Sequence, residues 1–168
     1  YIAITIDPSV VLESDYIIRA NYNPEDMSKK LLEYLRKNNY KKIGIIKTEL
    51  FYLNMVYDGL LQEKNQDEEI ILIDKFQTYD NDFRSTILKI KNSDVDIVGV
   101  FLMGGQISEF YIQAKENSLE IPTFGTDFFD SQAEIDAAKG LMNEVVFANI
   151  DVSDDFRQKY QGRFKTES

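Results

Sequence analysis

The side chains best suited to binding chemistry stand at the ends of short apolar runs in this chain. Asp127 follows Gly125 and Thr126 at the end of one run. A carboxylate there can hold an ammonium group, or it can cap the turn that follows. Gly104 and Gly105 end another run, where glycines either let a bound group approach the N–H donors of the next helix or form a tight turn. Both interpretations stay open on the residues alone.

Two pairs of aromatic residues accompany these candidates. Phe51 and Tyr52 follow one apolar run, and Phe128 and Phe129 follow another. Aromatic pairs in loops at one end of a fold are typical of concave ligand sites, which combine aromatic walls with a few polar groups. Most aromatic side chains pack in a core instead, and we expect this of three others: Phe83, Phe110 and Phe156.

The composition excludes several kinds of chemistry. The 168 residues include no cysteine and no histidine, which excludes disulfides, thiolate metal sites and catalytic pairs built on histidine. The acidic residues from Asp127 to Asp136 lack the spacing of a calcium loop, and no glycine-rich nucleotide motif is present. The net charge of −10 argues against nucleic acid as a partner. We expect a binding protein with no metal or cofactor, and not an enzyme.

The elements that must position these residues follow a repeat. Four apolar runs recur at nearly regular intervals, at residues 42–46, 70–76, 96–102 and 122–125. Helical periodicity between them predicts a βα repeat, and such a repeat builds a parallel sheet. With a fifth strand at 144–148, the predicted fold is α/β, a flavodoxin-like or Rossmann-like three-layer α/β/α sandwich. Its parallel five-stranded sheet has the order 2-1-3-4-5.

Helix signals complete this scheme. Asn23 is predicted to cap a helix that starts at Pro24 and ends at Asn38 and Asn39. Further helices are predicted at residues 51–64, 82–91, 106–117 and 132–138, with a last one after residues 151–153. Two short strands are predicted before them, at residues 1–6 and 16–18.

The sheet order predicts where a ligand would bind. Ligands of open parallel sheets lie outside the carboxyl ends of the strands, at the point where the winding reverses. Here that point falls between the loops at 47–52 and 103–106, with the loop at 126–130 beside them. The candidate carboxylate, the glycines and both aromatic pairs all belong to these three loops.

Short motifs in a fixed order also resemble a known family. They stand at 1–6, 16–19, 41–46, 52–60, 82–83, 93–98, 121–127, 144–148 and 156–160. Together they resemble the middle of a type I periplasmic binding protein of the branched-chain amino-acid group, mainly its second lobe. The chain departs from the family at Leu53, where a glycine is usual after the position of Tyr52. It also lacks the aromatic residue that amino-acid binders often have near residues 103–105.

The resemblance implies a protein whose two lobes close on a small ligand and deliver it to an ABC importer. It places ligand contacts of this lobe at Tyr52, in the 103–106 turn and at Asp127, whose carboxylate would pair with the α-ammonium of an amino acid. With the aromatic residues added, the candidate ligand-binding residues are Phe51, Tyr52, Met103, Gly104, Gly105, Gln106, Asp127 and Phe128.

The same resemblance implies partners, location and domains. The partners are an amino acid or similar small molecule and the permease of an ABC transporter. The location is periplasmic or extracellular, with a lipoprotein anchor in the full-length form. Residues 1–14 are expected to be a crossover from a first lobe that is largely missing, 15–149 the ligand-binding lobe, and 150–168 a C-terminal helix or crossover. The alternative function is the ligand-sensing domain of a receptor or transcription regulator with this fold.

Overall fold

The structure, a computed structural model, describes residues 2–5, 7–12, 15–19, 23–151 and 153–164. The strands are β1 (Ile2–Ala3), β2 (Ile18–Arg19), β3 (Lys42–Thr48), β4 (Glu69–Phe76), β5 (Ile97–Phe101), β6 (Thr123–Gly125) and β7 (Val146–Phe147). The α-helices are α1 (Pro24–Lys37), α2 (Phe51–Glu63), α3 (Arg84–Lys91), α4 (Ile107–Glu116), α5 (Gln132–Ala138) and α6 (Asp154–Phe164). Two 3-10 turns lie at Pro8–Leu12 and Asp127–Phe129.

Strands β3 to β7 form one parallel sheet in the spatial order β4-β3-β5-β6-β7. In order of appearance this is 2-1-3-4-5, so the predicted fold class and strand order are confirmed. The winding direction reverses between β3 and β5, which pair directly from Ile43 with Ile97 to Lys47 with Phe101. The strands β1 and β2 pair with each other, in parallel, as a separate two-stranded sheet.

The central strands are covered on both faces, which explains their consecutive apolar residues. In β3 every residue from Ile43 to Thr48 is buried. Helices α1 and α2 cover one face, with Leu32 and Leu53 fully buried against it. Helices α3 and α4 cover the other face, where Phe83 and Phe110 are fully buried. The sheet therefore has two separate apolar cores, one on each side.

Helix α1 forms as its sequence predicts. The Asn23 side chain accepts a hydrogen bond from the backbone N–H of Glu25 at 3.4 Å, and Pro24 occupies the first helical position. The helix ends where Asn39 adopts a left-handed conformation with φ of 59°. Its four predicted core residues are all buried: Met27, Leu31, Leu32 and Leu35.

Two predicted core positions are wrong. Leu61, which the periodicity places on the buried side of α2, is 38% exposed. Phe156 is 50% exposed, because α6 buries none of its residues in the described part of the chain. It stacks instead on Tyr160 of the same helix, with ring centroids 5.8 Å apart. A helical stripe marks which residues share a face, but it does not show that a neighbour covers that face.

Some element boundaries also differ from the predictions. Helix α3 begins at Arg84 rather than at residue 82, since Asp82 accepts hydrogen bonds from the Arg84 backbone and side chain instead of joining the helix. The fifth strand pairs only over Val146–Phe147. Of the strand predicted at 1–6, the structure describes Ile2–Ala3 as paired, while Tyr1 and Ile6 lie outside the described residues.

A buried ion pair ties α1 to the start of β4 at the opposite end of the sheet from the predicted site. The Glu68 side chain is 1% exposed and accepts two hydrogen bonds from the Arg36 guanidinium, at 2.7 and 3.0 Å. It also accepts the backbone N–H of Asn65 at 2.6 Å. The hydrogen bonds from Arg36 are the main reason that the pKa of Glu68 is lowered below its ordinary value.

Replacing Glu68 with Gln is expected to lower the free energy of unfolding at pH 7 by about 1–3 kcal/mol, because hydrogen bonds to a charged group are lost. A carboxyl group with a lowered pKa stabilises the fold above its unfolded value of about 4.3, and this contribution disappears as the pH falls through the folded value. Urea unfolding between pH 7 and pH 3 should therefore show a smaller acid-dependent loss in the variant.

Glu33→Gln is the matched control, because Glu33 is exposed and pairs only with Lys30 at the surface. Its effect should stay within about 0.5 kcal/mol at every pH. Equal acid dependence in Glu68→Gln and in the unmodified protein would show that the Arg36–Glu68 pair does not produce it.

Candidate functional site

Tyr52 and Asp127 meet at the carboxyl edge of the sheet, although 75 residues separate them. Tyr52 lies in the first turn of α2, just after β3, and Asp127 follows β6. The Tyr52 hydroxyl donates a hydrogen bond to Oδ1 of Asp127 at 2.5 Å. Its oxygen also lies 3.0 Å from the sulfur of Met27. A buried phenol thus orients a half-buried carboxylate at the point where the sequence predicts a ligand.

The aromatic pairs divide into wall and core. Phe128 packs edge-on against Tyr52, with ring centroids 5.6 Å apart, and Phe51 is 57% exposed. Phe129, which is not among the candidate ligand-binding residues, is 1% exposed and belongs to the core on the α3 and α4 side. The absence of a side chain at Gly125 leaves room for this ring, because an added Cβ there would lie 2.3 Å from ring atoms of Phe129. The ring takes the space that a side chain would fill.

Gln106 joins three loops at the reversal point. Its side chain is buried, with 1% of the residue exposed. The amide oxygen accepts the Thr48 hydroxyl at 2.5 Å, and the amide nitrogen donates to the carbonyl oxygens of Gln77 at 2.9 Å and Asp80 at 2.7 Å. Thr48 ends β3, and the two carbonyls follow β4. Contact between Gln106 and a ligand stays a prediction, but its amide is already engaged by the protein.

Glu134 is the residue at this edge that the sequence reasoning missed. The predicted free N–H donors at the start of α4 are not free, because the Glu134 carboxylate accepts the backbone N–H of Gly105 and that of Ser108, the latter at 2.6 Å. Glu134 comes from α5 and is 5% exposed. Gln106 at the N-cap makes no capping bond with its own side chain. The missing cap is the signal that could have pointed to an acceptor from elsewhere.

Residues 103–106 form a tight turn, which is one of the two interpretations that the sequence leaves open for Gly104 and Gly105. Gly105 adopts φ of 87°, a conformation that side-chain-bearing residues rarely take. Gly104 and Gly105 are exposed, and Met103 is half-buried. These three candidate residues are therefore more accessible to solvent than the buried Gln106.

The nearby lysine is neutralised inside the protein. Lys47, at the end of β3, is buried and contacts Glu49 at 2.8 Å and the side-chain oxygen of Asn54 at 2.5 Å. Its ammonium group also lies 5.7 Å from the centre of the Tyr57 ring. The hydrogen bond from Lys47 is the main cause that lowers the pKa of Glu49. The positive charge of Lys47 is thus already paired within the protein.

Within the described residues, no group of three or more acidic side chains is placed to hold a metal ion. No helix in that part of the chain is long and apolar enough to cross a membrane. The arrangement that does exist can accept cationic hydrogen-bond donors: a carboxylate oriented by a phenol, beside an aromatic wall.

This architecture is that of one lobe of a type I periplasmic binding protein, the fold that the sequence motifs predicted. Several solved structures match at least nine-tenths of the chain, among them three transport or binding proteins. A candidate branched-chain amino acid ABC transporter from Rhodospirillum rubrum has a TM-score of 0.80 at 12% identity, and covers 96% of this chain and 49% of its own. LivJ from Streptococcus pneumoniae, a branched-chain amino acid transporter substrate-binding protein in complex with isoleucine, gives 0.73 at 19% identity, with 96% and 49% covered.

The third structure is the leucine-binding protein LivK from Thermotoga maritima, with a TM-score of 0.74 at 14% identity and coverage of 96% and 49%. The chain thus spans about half the length of the solved structures it matches. The TM-scores establish the fold, and at 12–19% identity the likeness shows the fold alone. No protein-family model and no curated protein matches the sequence. The three matched proteins are described as binding or transport proteins.

Replacing Gln106 with Leu is expected to lower the free energy of unfolding by about 2–4 kcal/mol, because polar groups at the end of β3 and in the loop after β4 lose their partner. The unpaired groups would be the Thr48 hydroxyl and the carbonyls of Gln77 and Asp80. Urea unfolding measures this loss.

Gln132→Leu is the control, since Gln132 is exposed and bonds only to Asp136 one turn away. It should change stability by less than about 0.5 kcal/mol. A loss below about 1 kcal/mol in Gln106→Leu would mean that the three loops do not depend on this amide.

Proposed function

We propose that this chain is a lobe of an extracytoplasmic solute-binding protein of an ABC transport system, and that its carboxyl edge binds the ammonium end of an amino acid or a related small polar molecule. The observation that carries the proposal is the Tyr52–Asp127 pair at the reversal point of the sheet. It stands where parallel sheets bind ligands, and the matched solute-binding proteins share the fold around it.

The pair suits an ammonium group for chemical reasons. An ammonium group has three N–H donors and no acceptor, so it needs carboxylate, hydroxyl or carbonyl oxygens around it. Asp127 supplies a carboxylate whose orientation is set by the Tyr52 hydroxyl. Tyr52 is itself held between the Met27 sulfur and the Phe128 ring. A group held this firmly loses little freedom when a ligand binds, which favours affinity.

The aromatic wall suits the remainder of a small amphiphilic molecule. Phe128 is half-buried beside the carboxylate, and Phe51 is exposed at the start of α2. Together they offer apolar surface next to the charged group, as concave ligand sites do. LivJ was solved with isoleucine, and LivK is a leucine-binding protein, which is why an amino acid is the ligand class proposed for this chain.

Binding would proceed by closure of two lobes. The ligand selects the closed state because it contacts both lobes only in that state. In this proposal the lobe described here contributes the ammonium side of the site, and a second lobe contributes the carboxylate side. The permease of the transporter then receives the ligand from the closed protein. The periplasmic or extracellular location and the lipoprotein anchor belong to the same proposal.

The test is a titration of the ¹⁵N-labelled chain with leucine, followed by amide chemical shifts. We expect saturable shifts at Phe51, Gly104 and Asp127 with a Kd in the millimolar range, about −4 kcal/mol, because one lobe supplies only part of the contacts. Asp127→Asn should weaken the binding at least about tenfold, which corresponds to about 1.4 kcal/mol.

Asp130→Asn is the matched control, because Asp130 lies in the same loop but is exposed and bonds to Asn149. It should leave the affinity unchanged. Unchanged affinity in Asp127→Asn would remove Asp127 from the site. Micromolar binding of leucine by this chain alone would contradict the two-lobe mechanism.

A further inference from the structure

The start of α4 would ordinarily attract an anion. A helix exposes free N–H groups and a partial positive charge at its first turn, and phosphates or carboxylates bind there in many proteins. Helix α4 begins at the carboxyl edge, next to the exposed turn of Gly104 and Gly105. In this chain Glu134 already occupies that position, with one carboxylate oxygen on the Gly105 N–H and the other on the Ser108 N–H.

We propose that Glu134 determines the polarity of the α4 side of the binding edge: its carboxylate fills the anion position at the start of α4, so that this side accepts the cationic end of a ligand and excludes the anionic end. The proposal rests on the proposed function for the kind of ligand involved. The occupation of the anion position by Glu134 is a separate matter that can be tested without any amino acid.

Two other helix starts also hold acceptors of the protein, whereas Leu50 at the N-cap of α2 makes no side-chain capping bond. At the start of α3, the Phe83 N–H donates to the Gln113 side chain at 2.7 Å and the Arg84 N–H donates to Asp82 at 3.2 Å. Helix α1 carries its own cap at Asn23. A ligand carboxylate would therefore have to displace an acceptor of the protein to reach the first turn of α1, α3 or α4.

The charges along the edge act in the same direction. Lys47 is committed to Glu49, and Asp127 adds a further carboxylate on the β6 side. A carboxylate that entered here would meet Glu134 and Asp127, and like charges at such separations repel. An ammonium group would meet attraction from both. Glu134 is thus a specificity-determining residue that acts by occupying a position, and it need not contact the ligand.

The experiment uses inorganic phosphate as the probe and the ¹⁵N-labelled chain as the sample, at constant ionic strength. In the unmodified protein the Gly105 and Ser108 amide resonances should not respond to phosphate. In Glu134→Ala they should shift saturably, with apparent binding at least tenfold tighter than in the unmodified protein. Glu144→Ala, which removes the same charge from an exposed position, should behave like the unmodified protein.

The variant also predicts a change in ligand preference. 4-Methylpentanoate, which is leucine without its ammonium group, should bind Glu134→Ala at least tenfold more tightly than it binds the unmodified chain. If the unmodified chain fails to bind leucine, the proposed function is contradicted, while the phosphate result still decides the role of Glu134. If neither phosphate nor 4-methylpentanoate gains affinity in Glu134→Ala, the proposal is overturned.

A folding failure of Glu134→Ala would not remove the test. Glu134→Gln keeps the size of the side chain and loses its charge, so its Gly105 and Ser108 amides should respond to phosphate more strongly than those of the unmodified protein. Identical responses in Glu134→Gln and the unmodified protein would overturn the proposal.

Discussion

The buried amide of Gln106 is the constraint on which the carboxyl edge depends. It binds the end of β3 through Thr48, and the loop after β4 through the carbonyls of Gln77 and Asp80. With 1% of the residue exposed, water cannot readily replace these bonds, so the loops share one arrangement or leave polar groups unpaired. Tyr52 stands four residues after Thr48, close in sequence to the segment that this amide binds.

A second feature of the edge is that several of its charged side chains bind other groups of the protein. Lys47 forms an ion pair with Glu49. The Glu134 carboxylate accepts a backbone N–H at the start of α4, where the helix carries a partial positive charge. Asp127 accepts a hydrogen bond from the Tyr52 hydroxyl, which orients its carboxylate. In the proposed function this oriented carboxylate is the group that receives the ammonium end of a ligand.

The sequence was sufficient to predict the sheet and the edge. Consecutive apolar residues such as those in β3 occur where both faces are covered, and a cap such as Asn23 before Pro24 acts locally, so both features can be read from neighbouring residues. Burial at element ends could not be predicted in that way. Phe156 has the spacing of a core residue, yet α6 has no covered face among the described residues, and periodicity contains no information about a neighbour.

The contacts inside the edge were not predictable for a related reason. Tyr52 and Asp127 are 75 residues apart, and Gly105 and Glu134 are 29 apart; topology says that such residues share an edge, but not which side chains meet. Two missing groups explain contacts that no motif predicts. Gly125 lacks a side chain, so Phe129 fills the core, and Gln106 does not cap α4, so an acceptor must come from elsewhere. A buried helix start that lacks its own cap needs a hydrogen-bond acceptor from another element. Among the acidic residues after β6, Glu134 supplies that acceptor for α4.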